Sequence, residues 1–256
     1  MPETFLILLA GGTLLAAAIS DPKQVTLNWL RLGGIIALSL SGLSLFFYLK
    51  NRMDGLGAVA TFFGFFPIVL CVLGQLAFVQ LAWRRTQRVF AMLGYIAALW
   101  AALWIFPRND SVASLNRFSV TIALAGVAAM TGLVLMDMLL GHAYLTAGKM
   151  TMKPFARLNA SLAMVAVLRL ISATAGVYLL NSMHPVRMFW GIYGLLMLTR
   201  WLVGLAVPFV FLYMAHDCIK RRATQSATGI LYVCGILVFI GEMIALPLVR
   251  DTGLPF

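Results

Sequence analysis

Apolar residues in this chain run in blocks and do not alternate, a pattern that builds helices and rules out a transmembrane β-barrel. Several blocks reach the roughly 20 residues that a bilayer core demands of a helix. Short polar turns separate them. The pattern predicts eight spans, over Phe5–Ser20, Leu27–Tyr48, Gly57–Trp83, Val89–Phe106, Ser119–Thr146, Phe155–Leu180, Arg187–Asp217 and Ser226–Leu248. Trp29, Tyr48, Trp83, Trp104, Tyr144 and Tyr178 fall near span ends, where an aromatic belt forms. Pro67 predicts a kink in span 3, and Pro154 suits the start of span 6. In span 7, Pro208 frees the carbonyl of Gly204, where a missing side chain eases the bend. Ser226 is the expected N-cap of span 8.

The expected fold is therefore an all-α integral membrane protein, an eight-transmembrane-helix bundle forming one polytopic domain over residues 1–256. Composition agrees, with 62% hydrophobic and only 11% charged residues. Glu3 and the lack of a nearby Lys or Arg argue against a cleaved signal peptide at span 1. Turns after the odd-numbered spans carry eleven Lys and Arg, among them Lys23, Arg84, Arg85, Arg88, Lys149 and Lys153. The other side carries six: Lys50, Arg52, Arg108, Arg117, Arg187 and Arg250. The positive-inside rule then puts both termini on the non-cytoplasmic side, in what the short turns suggest is a bacterial inner membrane. The net charge of +11 sits in turns, so its partners are membrane lipids and not nucleic acid. Cys71, Cys218 and Cys234 have no metal-like spacing.

Polar residues split the chain into two halves. Within residues 1–110 the span interiors hold no charged residue, Arg31 being counted with the turn after span 1, and Gln75 and Gln80 are the main polar features. Residues 111–256 hold Asp137, Arg169, Arg200 and Glu242, each of which needs a counter-ion or water in oil. Residues equidistant from a turn share a depth. This pairs Asp137 with Arg169 about residue 153, and Arg200 with Glu242 about residue 221, with a crossed Arg169–Glu242 pair as the alternative. Small residues four apart in span 5, Ala125 with Ala129 and Ala128 with Gly132, expect close helix contact. No internal repeat is visible.

His142 and His216 end spans 5 and 7, toward the same face, while His184 lies in a turn. Two imidazoles at matched depth can ligate haem b, with Gly141 leaving room for the macrocycle. With Asp137 or Asp217 they can hydrogen-bond a quinone; a metal bound by His142, His216 and Asp217 is a lesser option. Lys220, Arg221, Arg222 and Ser226 form an anion-attracting turn suited to lipid headgroups. No catalytic or nucleotide motif is present. These residues expect a membrane subunit of an electron-transfer or quinone-linked complex, working with other membrane or redox subunits. The alternatives are a small-solute or proton transporter and a non-catalytic membrane scaffold or assembly factor.

Overall fold

The computed structural model describes residues 1–51, 57–106, 116–146, 151–183 and 192–256. His184, and the charge-bias residues Arg52, Arg108, Lys149 and Arg187, lie outside them. The described residues are helical apart from short turns: α1 (Pro2–Ile19), α2 (Leu27–Asn51), α3 (Gly57–Gln80), α4 (Arg84–Ile105), α5 (Asn116–Thr146), α6 (Lys153–Met183), α7 (Ile192–Trp201), α8 (Val207–Lys220) and α9 (Thr224–Thr252). A π turn, Leu202–Ala206, joins α7 and α8 into one rod over Ile192–Lys220. Among the described residues seven helices are long and apolar enough to cross a membrane, and Gly64–Gln80 is a shorter apolar helix. The surface is the oily side. Phe118, Tyr178, Ile192 and Tyr213 are each more than 70% exposed, while Asp137, Asn159, Arg200 and Glu242 are fully buried. This inversion of the soluble pattern is what lipid solvation produces.

The helices form two four-helix rings. In the first, α1 packs on α2 and α4, and α3 packs on α2 and α4. In the second, α5 packs on α6 and α9, and α8 packs on α6 and α9. The rings meet along α1 and α5, where Gly12 lies against Ala128 and Gly132. A Cβ on Gly12 would come 1.8 Å from the Ala128 carbonyl oxygen, so only glycine permits this approach. The small pair expected from the sequence is thus the seat of the α1 crossing. Trp29 of α2 adds a tie between rings, its indole N–H donating to the Met136 carbonyl at 3.2 Å.

The two rings share one pattern of burial and helix contacts, a repeat that the residue identities did not show. Burial along residues 1–20 repeats along 121–140 at every position except the third. The buried positions of α2, Trp29, Leu30, Gly33, Gly34, Ala37, Ser41, Ser44 and Tyr48, recur 125 residues later in α6, from Pro154 through Ala173. Gly64, Phe65, Ile68, Val72, Gln75 and Val79 of α3 recur 140 residues later as Gly204, Leu205, Pro208, Leu212, Ala215 and Ile219. The α3–α4 and α8–α9 turns match bond for bond. Leu81, Ala82 and Trp83 donate to Ala77, Val79 and Phe78, as Arg221, Arg222 and Ala223 donate to Asp217, Ile219 and Cys218. Both are Schellman turns with a left-handed non-glycine residue, Ala82 at φ 57° and Arg222 at φ 58°. Contacts between successive helices run antiparallel, and α1 and α5 are both antiparallel to α4, so the repeats are parallel.

Two local expectations change. The helix α9 starts at Thr224 after Ala223, with no side-chain cap, so Ser226 sits exposed in its first turn. Pro208 is accommodated by a π turn: the Val207 N–H reaches back to the Leu202 carbonyl, and Gly204 sits inside the widened turn.

Candidate functional site

The second ring encloses a buried charged cluster made by three helices. Arg169 reaches from α6 across the ring to Glu242 on α9, with Nη2 to Oε2 at 2.5 Å and Nε to Oε1 at 3.2 Å. Arg200, on α7 just before the π turn, donates from Nη2 to the same Oε1 at 3.0 Å. Arg200 and Glu242 are 0% exposed and Arg169 is 2% exposed. Three glycines make the space. A Cβ on Gly126 of α5 would come 2.5 Å from the Arg169 Cδ. Gly204 and Gly241 touch backbone to backbone beside Arg200, whose Nη1 lies 3.1 Å and 3.2 Å from the Cβ atoms they lack.

The depth rule succeeded for one hairpin and failed for the other. Arg200 and Glu242 meet as expected. Asp137 does not pair with Arg169, because α6 begins at Lys153, inside what was read as the turn. Asp137 meets Asn159 and Arg169 meets Gly126, contacts symmetric about residue 148 and not 153. The crossed Arg169–Glu242 pair is the one formed.

Charge is therefore not balanced within the cluster. Two guanidinium groups share one carboxylate, leaving one net positive charge in a region with almost no solvent. Both Glu242 oxygens accept hydrogen bonds. Arg169 Nη1 and Arg200 Nε and Nη1 are buried and have no hydrogen-bond partner. Unmet charged donors are among the most costly groups a protein interior can hold. Chemically, these free guanidinium N–H groups can donate to one more acceptor, and a carboxylate or similar anion matches their fork.

A second polar pair lies apart from it. Asn159 Nδ2 donates to Asp137 Oδ2 at 3.2 Å, and both residues are fully buried. Asp137 lies eleven residues along α5 from Gly126, about 16 Å at helical rise. Asn159 carried a readable signal, since it stands equidistant with Asp137 from residue 148. The first ring holds neither site. Ser44, Ala102, Ala17 and Gly34 occupy the places of Arg169, Glu242, Asp137 and Asn159. The Ser44 hydroxyl is used up on the Glu3 carbonyl at 2.7 Å.

The histidine cluster expected at the α5 and α8 ends is not gathered. His142 is exposed on α5, His216 is partly buried on α8, and these helices occupy opposite corners of the ring. Asp137 is interior, and Asp217 is turned to Arg221 at 2.9 Å on the surface. Gly141 leaves no room for a macrocycle: a Cβ there would meet Thr228 Oγ1 at 2.6 Å and Phe155 at 3.1 Å. Among the described residues no three His, Cys, Asp or Glu side chains are placed to hold a metal. Lys220, Arg221, Arg222 and Ser226 form an exposed basic turn. No family model, curated protein or solved structure matches the chain.

Proposed function

We propose that this protein is an eight-span carrier of a small organic anion, with both termini on the non-cytoplasmic side of a bacterial inner membrane. The reading rests on the Arg169–Glu242–Arg200 cluster, whose net charge and free donors call for an anionic ligand. Intramembrane ionisable groups mark substrate paths by default. Parallel internal repeats and an interrupted helix beside a buried charge are recurrent in carriers. The ligand carboxylate would take the free Arg169 and Arg200 donors, and Glu242 would hold both arginines charged and aligned between visits. The basic turn Lys220–Arg222 would draw anions and lipid headgroups to one face. In proteoliposomes, labelled pyruvate or succinate is expected to enter above the protein-free rate, and Arg200→Gln to abolish that entry. Uptake equal to protein-free vesicles for a panel of small carboxylates would end this reading.

A second reading keeps the electron-transfer subunit, with quinone or haem b near His142 and His216 and a redox subunit as partner. Its support is level: Gly141 meets Thr228, so the two histidines share one end of the ring. A Soret band in the purified protein, lost in His142→Ala or His216→Ala, is the result it requires; a colourless protein removes haem.

A further inference from the structure

We propose that Asp137 is a proton-binding site, an uncharged carboxylic acid joined to Asn159 as an acid–amide pair. Glu242 has two arginines, but among the described residues no cation pairs with Asp137. Among the described residues its hydrogen-bond partner is the Asn159 amide, which gives one N–H to Oδ2. Asp137 Oδ1 and Asn159 Oδ1 are both buried and both without a hydrogen-bond partner. Two acceptors left over in one amide–carboxyl pair are short of one hydrogen. A proton on Asp137 Oδ1 supplies it, because a protonated carboxyl is both donor and acceptor, the complement of a primary amide.

The surroundings favour the neutral acid. An unpaired carboxylate in this environment would be held there against several kcal/mol of desolvation. On α9 the titratable neighbour is Cys234, and on α5 itself it is Tyr144. Neither supplies positive charge. The basic groups on α5 and the helices packed on it lie elsewhere: His142 of α5, Arg31 of α2, and Lys153 and Arg157 of α6 are exposed, Arg88 of α4 faces Asp21 at 3.4 Å, and Arg169 is paired with Glu242. Tyr144 stands two turns from Asp137 toward the α5–α6 turn, its hydroxyl donating to the Thr151 carbonyl at 2.6 Å. This assignment is independent of what the arginines bind.

Infrared spectroscopy of the full chain tests it. At neutral pH the wild type should show the carbonyl stretch of a protonated carboxylic acid, shifted in D2O and absent in Asp137→Asn. That substitution copies the shape of the neutral acid, so the melting temperature should stay unchanged. Asn159→Leu should keep the band and move it upward, having lost a donor. A wild type without the band, or a band that survives Asp137→Asn, overturns the proposal. So does a large fall in melting temperature for Asp137→Asn, the result expected if Asp137 is a structural anion.

Discussion

Glu242→Ala is expected to destabilise the protein by about 5 kcal/mol, the range seen when one member of a buried ion pair is removed. Two arginines would then face each other in the second ring with no counter-charge. Arg169→Met should cost far less, about 2 kcal/mol for the lost charged hydrogen bonds, because it leaves the neutral Arg200–Glu242 pair. The ordering is the informative part. A carboxylate that merely filled space would rank no higher than an arginine of greater volume. Denaturant titration of each variant in the same mixed micelle measures both values.

Gly12→Leu is the second large effect. Its Cβ would fall 1.8 Å from the Ala128 oxygen and 2.8 Å from the Gly132 Cα, both backbone atoms that no rotamer change can move. The helices α1 and α5 must part, and with them the two rings. Overpacking costs about 1–3 kcal/mol even where side chains can yield, so this substitution should exceed that range. Gly132→Leu should do the same from the other side, with its Cβ 1.9 Å from the Gly12 carbonyl carbon. Gly42→Leu is the control, since nothing lies within 4 Å of its Cβ position, and it should change stability by less than about 0.5 kcal/mol. Equal melting of all three variants would refute a glycine-dependent crossing.

Span positions were legible because oil imposes them. A block of apolar residues must be helical in a bilayer and about as long as the bilayer is thick. The Arg200–Glu242 contact was legible because its turn is short, running between Lys220, the end of α8, and Thr224, the start of α9. Asp137 was misassigned because the pairing took residue 153 as its centre, whereas the contacts are symmetric about residue 148, and that moves the partner of Asp137 ten residues along α6, from Arg169 to Asn159, about 15 Å of depth. The repeat was invisible because it conserves burial and not identity: Ser44 answers to Arg169 and Ala102 to Glu242. A hydropathy reading sees that exchange as a difference between halves, which it is, and misses that the helices beneath are alike. The free donors of Arg169 and Arg200 were also out of reach, since a count of two acids and two arginines looks balanced until Asp137 is placed elsewhere.

The charged cluster is tested most directly by removing it whole. Glu242→Leu combined with Arg169→Met and Arg200→Met replaces three charges with apolar side chains, a change that is often neutral or stabilising for buried ion pairs. The triple variant should melt close to wild type, well above Glu242→Ala, and should carry no anion in proteoliposomes. A triple variant as unstable as Glu242→Ala, or one that still takes up carboxylate at the wild-type rate, would contradict a self-compensating anion site in the second ring.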